Sequence, residues 1–260
     1  MPRYKLTACT AEHIGDRPEQ QDRVAILTSS RHPNSLLAVV TDGMGGRTGG
    51  RMAADQVIST VTHVFRDTGE DDAGSLKGLL TNMAHEAHTV IRLSALSSEK
   101  EPHATFVALI VRSDYAVWAH AGDSRLYHFR SGRLIHRTED QTYAYYLRSQ
   151  GREQQAQEAD LKFKHMLVSS LGLPRPPQLL FGETADVRGG DSFLLCSDGL
   201  WAHFSDAELG DTLSRLAPRE ASSQLVGLAR ERAQGFGDNL SLAIVKFEPS
   251  QAKTTVARAG

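Results

Sequence analysis

Five aspartates in this sequence each stand beside a short apolar run, and that repeated placement limits the folds the chain can adopt. Leu36–Val40 stops at Thr41-Asp42-Gly43, and Ser192–Cys196 stops at Ser197-Asp198-Gly199. Tyr115–Ala119 is followed by Gly122-Asp123, while Asp22 precedes Val24–Leu27 and Asp238 precedes Leu240–Phe247. Apolar runs of about four to eight residues that end in turn formers suit buried strands better than helices. A sheet can gather carboxylates placed in this way at one rim.

Further strands are expected at Tyr4–Thr10, Thr105–Val111, Leu126–Phe129, Arg133–Ile135 and Gln178–Phe181. Ser113-Asp114 and Ser131-Gly132 are short links of the kind that close antiparallel hairpins. Ala53, Val57, Val61 and Val64, and then Leu76, Leu80, Met83, Ala87 and Ile91, recur at helical steps and predict two helices with one face in a core. Gln141 to Asp160 reads as polar and helical, until Pro174, Pro176 and Pro177 break the chain. Leu209, Leu213 and Leu216 mark another helix, and Arg219 to Ala233 a last one. The expected class is α+β: two antiparallel sheets packed face to face and flanked by helix pairs, a four-layer αββα sandwich. Residues 1–248 read as one domain and 249–260 as a flexible tail.

Composition excludes little but points away from some partners. Of 260 residues, 40% are hydrophobic and 23% charged, with a formal net charge of −2. That balance gives no electrostatic reason to expect nucleic acid or a membrane surface as a partner. No run approaches the length of a membrane span and the N-terminus lacks an apolar signal segment, so a cytoplasmic location is expected. Cys9 and Cys196 have no metal-like spacing and read as buried thiols.

Gathered carboxylates repel one another and raise each other's pKa values, a penalty that a divalent cation removes. Mg²⁺ and Mn²⁺ prefer oxygen ligands, and a set of aspartates without a His or Cys cluster argues for them and against zinc. Glycine after aspartate lets a backbone carbonyl approach such an ion, although Asp-Gly also marks ordinary turns.

The motifs, in order, resemble those of the metal-dependent protein phosphatases, the type-2C serine/threonine phosphatases, in their bacterial branch. Gly15-Asp16-Arg17-Pro18-Glu19-Gln20-Gln21-Asp22 resembles the opening motif, and Thr41-Asp42-Gly43-Met44-Gly45-Gly46 the next. Gly122-Asp123-Ser124-Arg125, Cys196-Ser197-Asp198-Gly199 and Gly237-Asp238-Asn239 resemble the later ones, so the likeness runs from about Thr7 to Phe247. It implies hydrolysis of phosphoserine and phosphothreonine by a hydroxide bridging two core ions, Mn²⁺ or Mg²⁺, with a third ion in some members. Asp42 would bridge the core pair, the Gly43 carbonyl and Asp22 would serve one ion, and Asp198 and Asp238 the other. Asp123 and Asp198 would take the third ion, and Arg17 would grip the substrate phosphate. Phosphorylated proteins would be the substrates, with a cognate bacterial serine/threonine kinase as a further expected partner, and a monomer is expected.

The sequence departs from the family at several places. Gln20-Gln21 stands for the usual Asn-Glu, Met44 for a histidine of eukaryotic members, Ala104-Thr105-Phe106 for Gly-Thr-Thr, and Asp140-Gln141-Thr142 for Asp-His-Ser. The variable flap corresponds to about Gln141–Pro177, and its Arg148, Arg152, Lys162, Lys164 and His165 read as a solvated face in preference to a phosphopeptide-steering one. His85 and His88 read as surface residues. The competing functions are a catalytically weak phosphoprotein-binding regulator, which the presence of every core aspartate opposes, and a small-molecule phosphatase of the same fold.

Overall fold

Short apolar runs become strands and amphipathic stretches become helices in the computed structural model, which describes residues 4–29, 35–67, 76–96 and 101–249. The first part comprises β1 (Tyr4–His13), β2 (Asp22–Thr28), β3 (Ser35–Met44), α1 (Gly46–Asp67) and α2 (Leu76–Ala95). Next come β4 (His103–Ala104), β5 (Phe106–Arg112), β6 (Tyr115–Ala121), β7 (Arg125–Arg130) and β8 (Arg133–Arg137). Then follow α3 (Tyr143–Ser149), α4 (Glu153–Lys162), β9 (Leu180–Thr184) and β10 (Asp191–Cys196). The chain closes with α5 (Asp198–Trp201), α6 (Asp206–Arg215), α7 (Pro218–Ala233) and β11 (Leu240–Pro249).

These strands form two antiparallel sheets, ordered β1-β11-β10-β7-β8 and β2-β3-β5-β6-β9, with β4 added to the far end of β3. The central strands explain the layers. In β3, Leu36, Ala38 and Val40 face the second sheet, whereas Leu37 and Val39 face α1 and α2. All five are buried, which is why that run is continuously apolar and does not alternate. In β10 and β11, Phe193, Leu195, Ala243 and Val245 enter the space between the sheets, and Leu194, Leu242 and Ile244 pack under α5, α6 and α7. Three apolar layers thus separate four layers of structure. Each fully buried Leu or Phe in them contributes about 1.5–3 kcal/mol.

Several boundaries differ from the sequence expectation, each for a physical reason. β3 continues through Asp42 and Gly43 to Met44 because β4 pairs with its end, Gly43 opposite Ala104. Asp22 likewise opens β2 instead of preceding it. The expected helix over 141–160 is two helices, interrupted at Gly151, whose φ of +71° no helix accommodates. Asp198 begins a four-residue helix that carries no periodicity of its own. Cys196 is buried as expected, but Cys9 is half-buried on the edge strand β1. His88 is half-buried and accepts the Gly172 N–H at 3.0 Å, so it ties α2 to the 167–177 loop instead of lying free on the surface. Of the expected tail, Pro249 closes β11, and 250–260 lie outside the described residues. No helix among the described residues is long and apolar enough to cross a membrane.

Candidate metal centre

The two sheets bring the aspartates together at one end of the sandwich. Asp22 and Asp42 are direct partners across the β2–β3 pair, a placement of like charges that a sheet ordinarily avoids. Ser197, just past β10, joins the sheets there. Its hydroxyl donates to Asp22 Oδ2 at 2.6 Å and accepts from the Ser241 N–H of β11 at 2.9 Å. Asp198 follows it as the first residue of α5. Asp123 sits in the turn after β6, where Gly122 takes a φ of +109° and the Trp201 indole donates to the Asp123 carbonyl at 2.9 Å.

Asp42, Asp123, Asp198 and Asp238 line one cavity of about 360 Å³ together with Gly43 and Arg17. Asp22 lies behind it, 1% exposed. All seven residues singled out in the sequence are therefore gathered, six on the wall and one beneath it. Arg17 contacts Asp238, Nη2 to Oδ2 at 2.6 Å, and more than half of its side chain is exposed at the mouth. Gly43 has no room for a Cβ, which would stand 2.0 Å from the Gly50 carbonyl oxygen of α1. Met44 and Gln21 complete the rim, and the Gln21 amide donates to the Gly46 carbonyl at 2.9 Å.

Crowding shifts these carboxyls upward. Burial raises Asp42 well above the usual carboxylate range, and the charges of Asp22, Asp198, Asp123 and Asp238 push it further. Burial is also the main cause for Asp22, raised to about 7 in spite of the hydrogen bond from Ser197. Asp123 is raised to about 7 by burial and by Asp198 and Asp140. Without positive charge among them, such groups hold protons that ordinary carboxylates would have lost.

The supporting residues were harder to see. Thr105 clamps the end of β3: its hydroxyl accepts the Asp42 N–H at 2.8 Å and meets Ser124 Oγ at 2.7 Å, and its own N–H donates to the Asp42 carbonyl at 2.8 Å. It thereby couples the Asp42 backbone to the Asp123 turn, a role that the Ala104-Thr105-Phe106 departure leaves intact. Asp16 fixes the Asp238 loop by accepting the Gly237 N–H at 2.7 Å and pairing with Arg230 at 2.8 Å. The flap also enters the site. His165, read from sequence as part of a solvated face, lines the cavity and stands 3.5 Å from Asp198 Oδ2. Its neighbours fit the solvated reading, since Arg148 pairs with Asp160 and Lys162 with Glu158.

This donor set fits hard divalent cations. Asp22 Oδ1 is buried with no hydrogen-bond partner, an expensive state for a carboxylate oxygen that a nearby cation relieves. Carboxylates and a backbone carbonyl are the ligands that Mg²⁺ and Mn²⁺ take.

A sequence model of the family Protein phosphatase 2C matches residues 9–230. The serine/threonine protein phosphatase PstP of Mycobacterium tuberculosis is 28% identical over 239 residues, covering 88% of this chain and 44% of PstP. The chain thus spans under half the length of that relative. A solved catalytic domain of PstP, in complex with two manganese ions, superposes with a TM-score of 0.73 at 26% identity, covering 94% of this chain and 98% of that one. PppA, described as a key regulatory component of T6SS in Pseudomonas aeruginosa, superposes with a TM-score of 0.74 at 28% identity, covering 93% and 97%.

Proposed function

The chain belongs to the protein phosphatase 2C family, and we propose that it is a metal-dependent phosphatase of phosphoserine and phosphothreonine in proteins. The observation that carries this reading is the convergence of Asp42, Asp123, Asp198 and Asp238 on one open cavity, with Asp22 buried behind and Arg17 at the mouth. Divalent ions, when bound there, supply a nucleophile from water near neutral pH and offset charge on the transferring phosphoryl group.

The chain's own residues divide the remaining work. Asp42, Asp198, Asp238 and the Gly43 carbonyl would hold the two core ions, with Asp22 acting on one of them from behind, and Asp123 and Asp198 would hold a third. Thr105 and Ser197 keep Asp42 and Asp22 in place by hydrogen bonds to backbone and carboxylate. Arg17 presents a planar fork of donors, suited to two phosphate oxygens at once. Met44, on the cavity wall, has no proton to give the leaving alkoxide. The named function of PstP supports a phosphoprotein substrate. A cognate serine/threonine kinase is a finer reading that rests on the resemblance, and a monomeric state and a cytoplasmic location are finer readings carried over from the sequence.

Phosphate release from a phosphothreonine peptide and from a phosphosugar, both with Mn²⁺, tests the substrate class. Turnover of the peptide in clear preference to the sugar is expected. Preference for the sugar would move the assignment to a metabolite phosphatase on the same fold.

A further inference from the structure

The third cation implied by the family has Asp123 and Asp198 as its protein ligands, and here a nitrogen donor stands beside them. We propose that His165 is a third protein ligand of that ion, and that its imidazole makes the site prefer Mn²⁺ to Mg²⁺. The inference rests on the metal-dependent phosphatase reading above and deepens it at one position.

One donor atom each from Asp123, His165 and Asp198 lie within 4.8 Å of one another. Ligands about 2.1 Å from an ion stand up to about 4.2 Å apart across it, so these donors need close by less than about 1 Å. Asp123 is 6% exposed and accepts no side-chain hydrogen bond from another of the described residues, although it lines the cavity.

The three donors come from separate segments, and two of these, the Asp123 turn and the flap segment around His165, share one anchor. Gln141 is fully buried. Its N–H donates to the Gly122 carbonyl at 3.0 Å and its Oε1 accepts the Gly122 N–H at 2.9 Å, which fixes the turn carrying Asp123. The Gln141 carbonyl accepts the Val168 N–H at 2.9 Å, and the Met166 carbonyl accepts the Tyr143 N–H at 2.7 Å, which holds the flap segment around His165. The His165 side chain is itself exposed, so these backbone hydrogen bonds, and not burial of the imidazole, set its place beside the carboxylates. Lys164, next in sequence, lines the adjacent cavity with Arg148 and leaves this one to His165.

Oxygen donors alone discriminate weakly between Mg²⁺ and Mn²⁺, but an imidazole favours the transition metal. An ion so held would also bridge the flap to the core of the site.

Pulsed EPR on the full chain loaded with Mn²⁺ should show ¹⁴N coupling from a bound imidazole, and His165→Gln should remove it. Titration calorimetry should show that variant losing about tenfold or more in Mn²⁺ affinity at one site, with the other Mn²⁺ sites and the thermal melting of the metal-free protein retained. Coupling absent from the wild type, or unchanged in His165→Gln, would overturn the proposal while Mn²⁺ binding elsewhere left the phosphatase reading standing. Failure of the wild type to bind any Mn²⁺ would overturn both.

Discussion

Replacing Asp22 by asparagine should stabilise the metal-free protein at neutral pH while weakening its hold on cations. Asp22 is 1% exposed, accepts Ser197 Oγ at 2.6 Å, and leaves Oδ1 without a partner. Burial, reinforced by the Asp198 charge, raises its carboxyl from 3.8 to about 7. A carboxyl raised in the folded state keeps its proton there after the unfolded chain has lost it. Stability is therefore full below about pH 4, falls as pH rises towards 7, and stays low above. About 3 pH units at 1.36 kcal/mol each come to about 4 kcal/mol. Asparagine has the same shape, retains an oxygen for Ser197 and offers its amide to Asp42, so it carries none of that cost. Urea unfolding in EDTA, run for both proteins from pH 4 to pH 8, reads the difference. The variant's advantage should grow from near zero to about 4 kcal/mol, and Mn²⁺ should stabilise the wild type more than the variant. An advantage independent of pH, or a variant less stable at pH 8, would refute the reasoning.

Two further substitutions probe the rim of the site. Gly15 has a φ of +67° and its Cβ would stand 2.1 Å from the Asp238 carbonyl oxygen, so Gly15→Ala should cost about 2–4 kcal/mol in thermal or urea unfolding and weaken Mn²⁺ binding in calorimetry. Arg17→Ala should raise KM for a phosphopeptide by about tenfold or more with a smaller change in kcat, and steady-state kinetics showing a loss confined to kcat would contradict its role at the phosphate.

The sandwich was legible because its central strands are buried on both sides, which leaves continuous apolar runs such as Leu36–Val40 in plain view. The cation ligands were legible for a related reason. A carboxylate against a buried strand is conspicuous, and Asp42, Asp123, Asp198, Asp238 and Asp22 all sit so. Contacts made across long stretches of chain leave no such trace. Thr105 meets Asp42 63 residues away, and Ser197 meets Asp22 at a separation of 175. Either looks like an ordinary polar residue until the sheets are assembled. His165 is a single histidine among basic neighbours, and only folding the flap over Asp198 separates it from them. Gly151 did carry a signal, since a glycine within a polar helical pattern marks a break as readily as it is tolerated. The regulator reading fares worse for the same geometry, because the gathered carboxylates keep everything a cation would need.

The most direct test of the central claim is phosphate release from a phosphothreonine peptide by the wild type and by Asp42→Ala, each with Mn²⁺ and with EDTA. Turnover by the wild type with Mn²⁺, abolished by EDTA and absent from a folded Asp42→Ala, is the predicted result. Hydrolysis that persists in EDTA, or in Asp42→Ala at the wild-type rate, would contradict it.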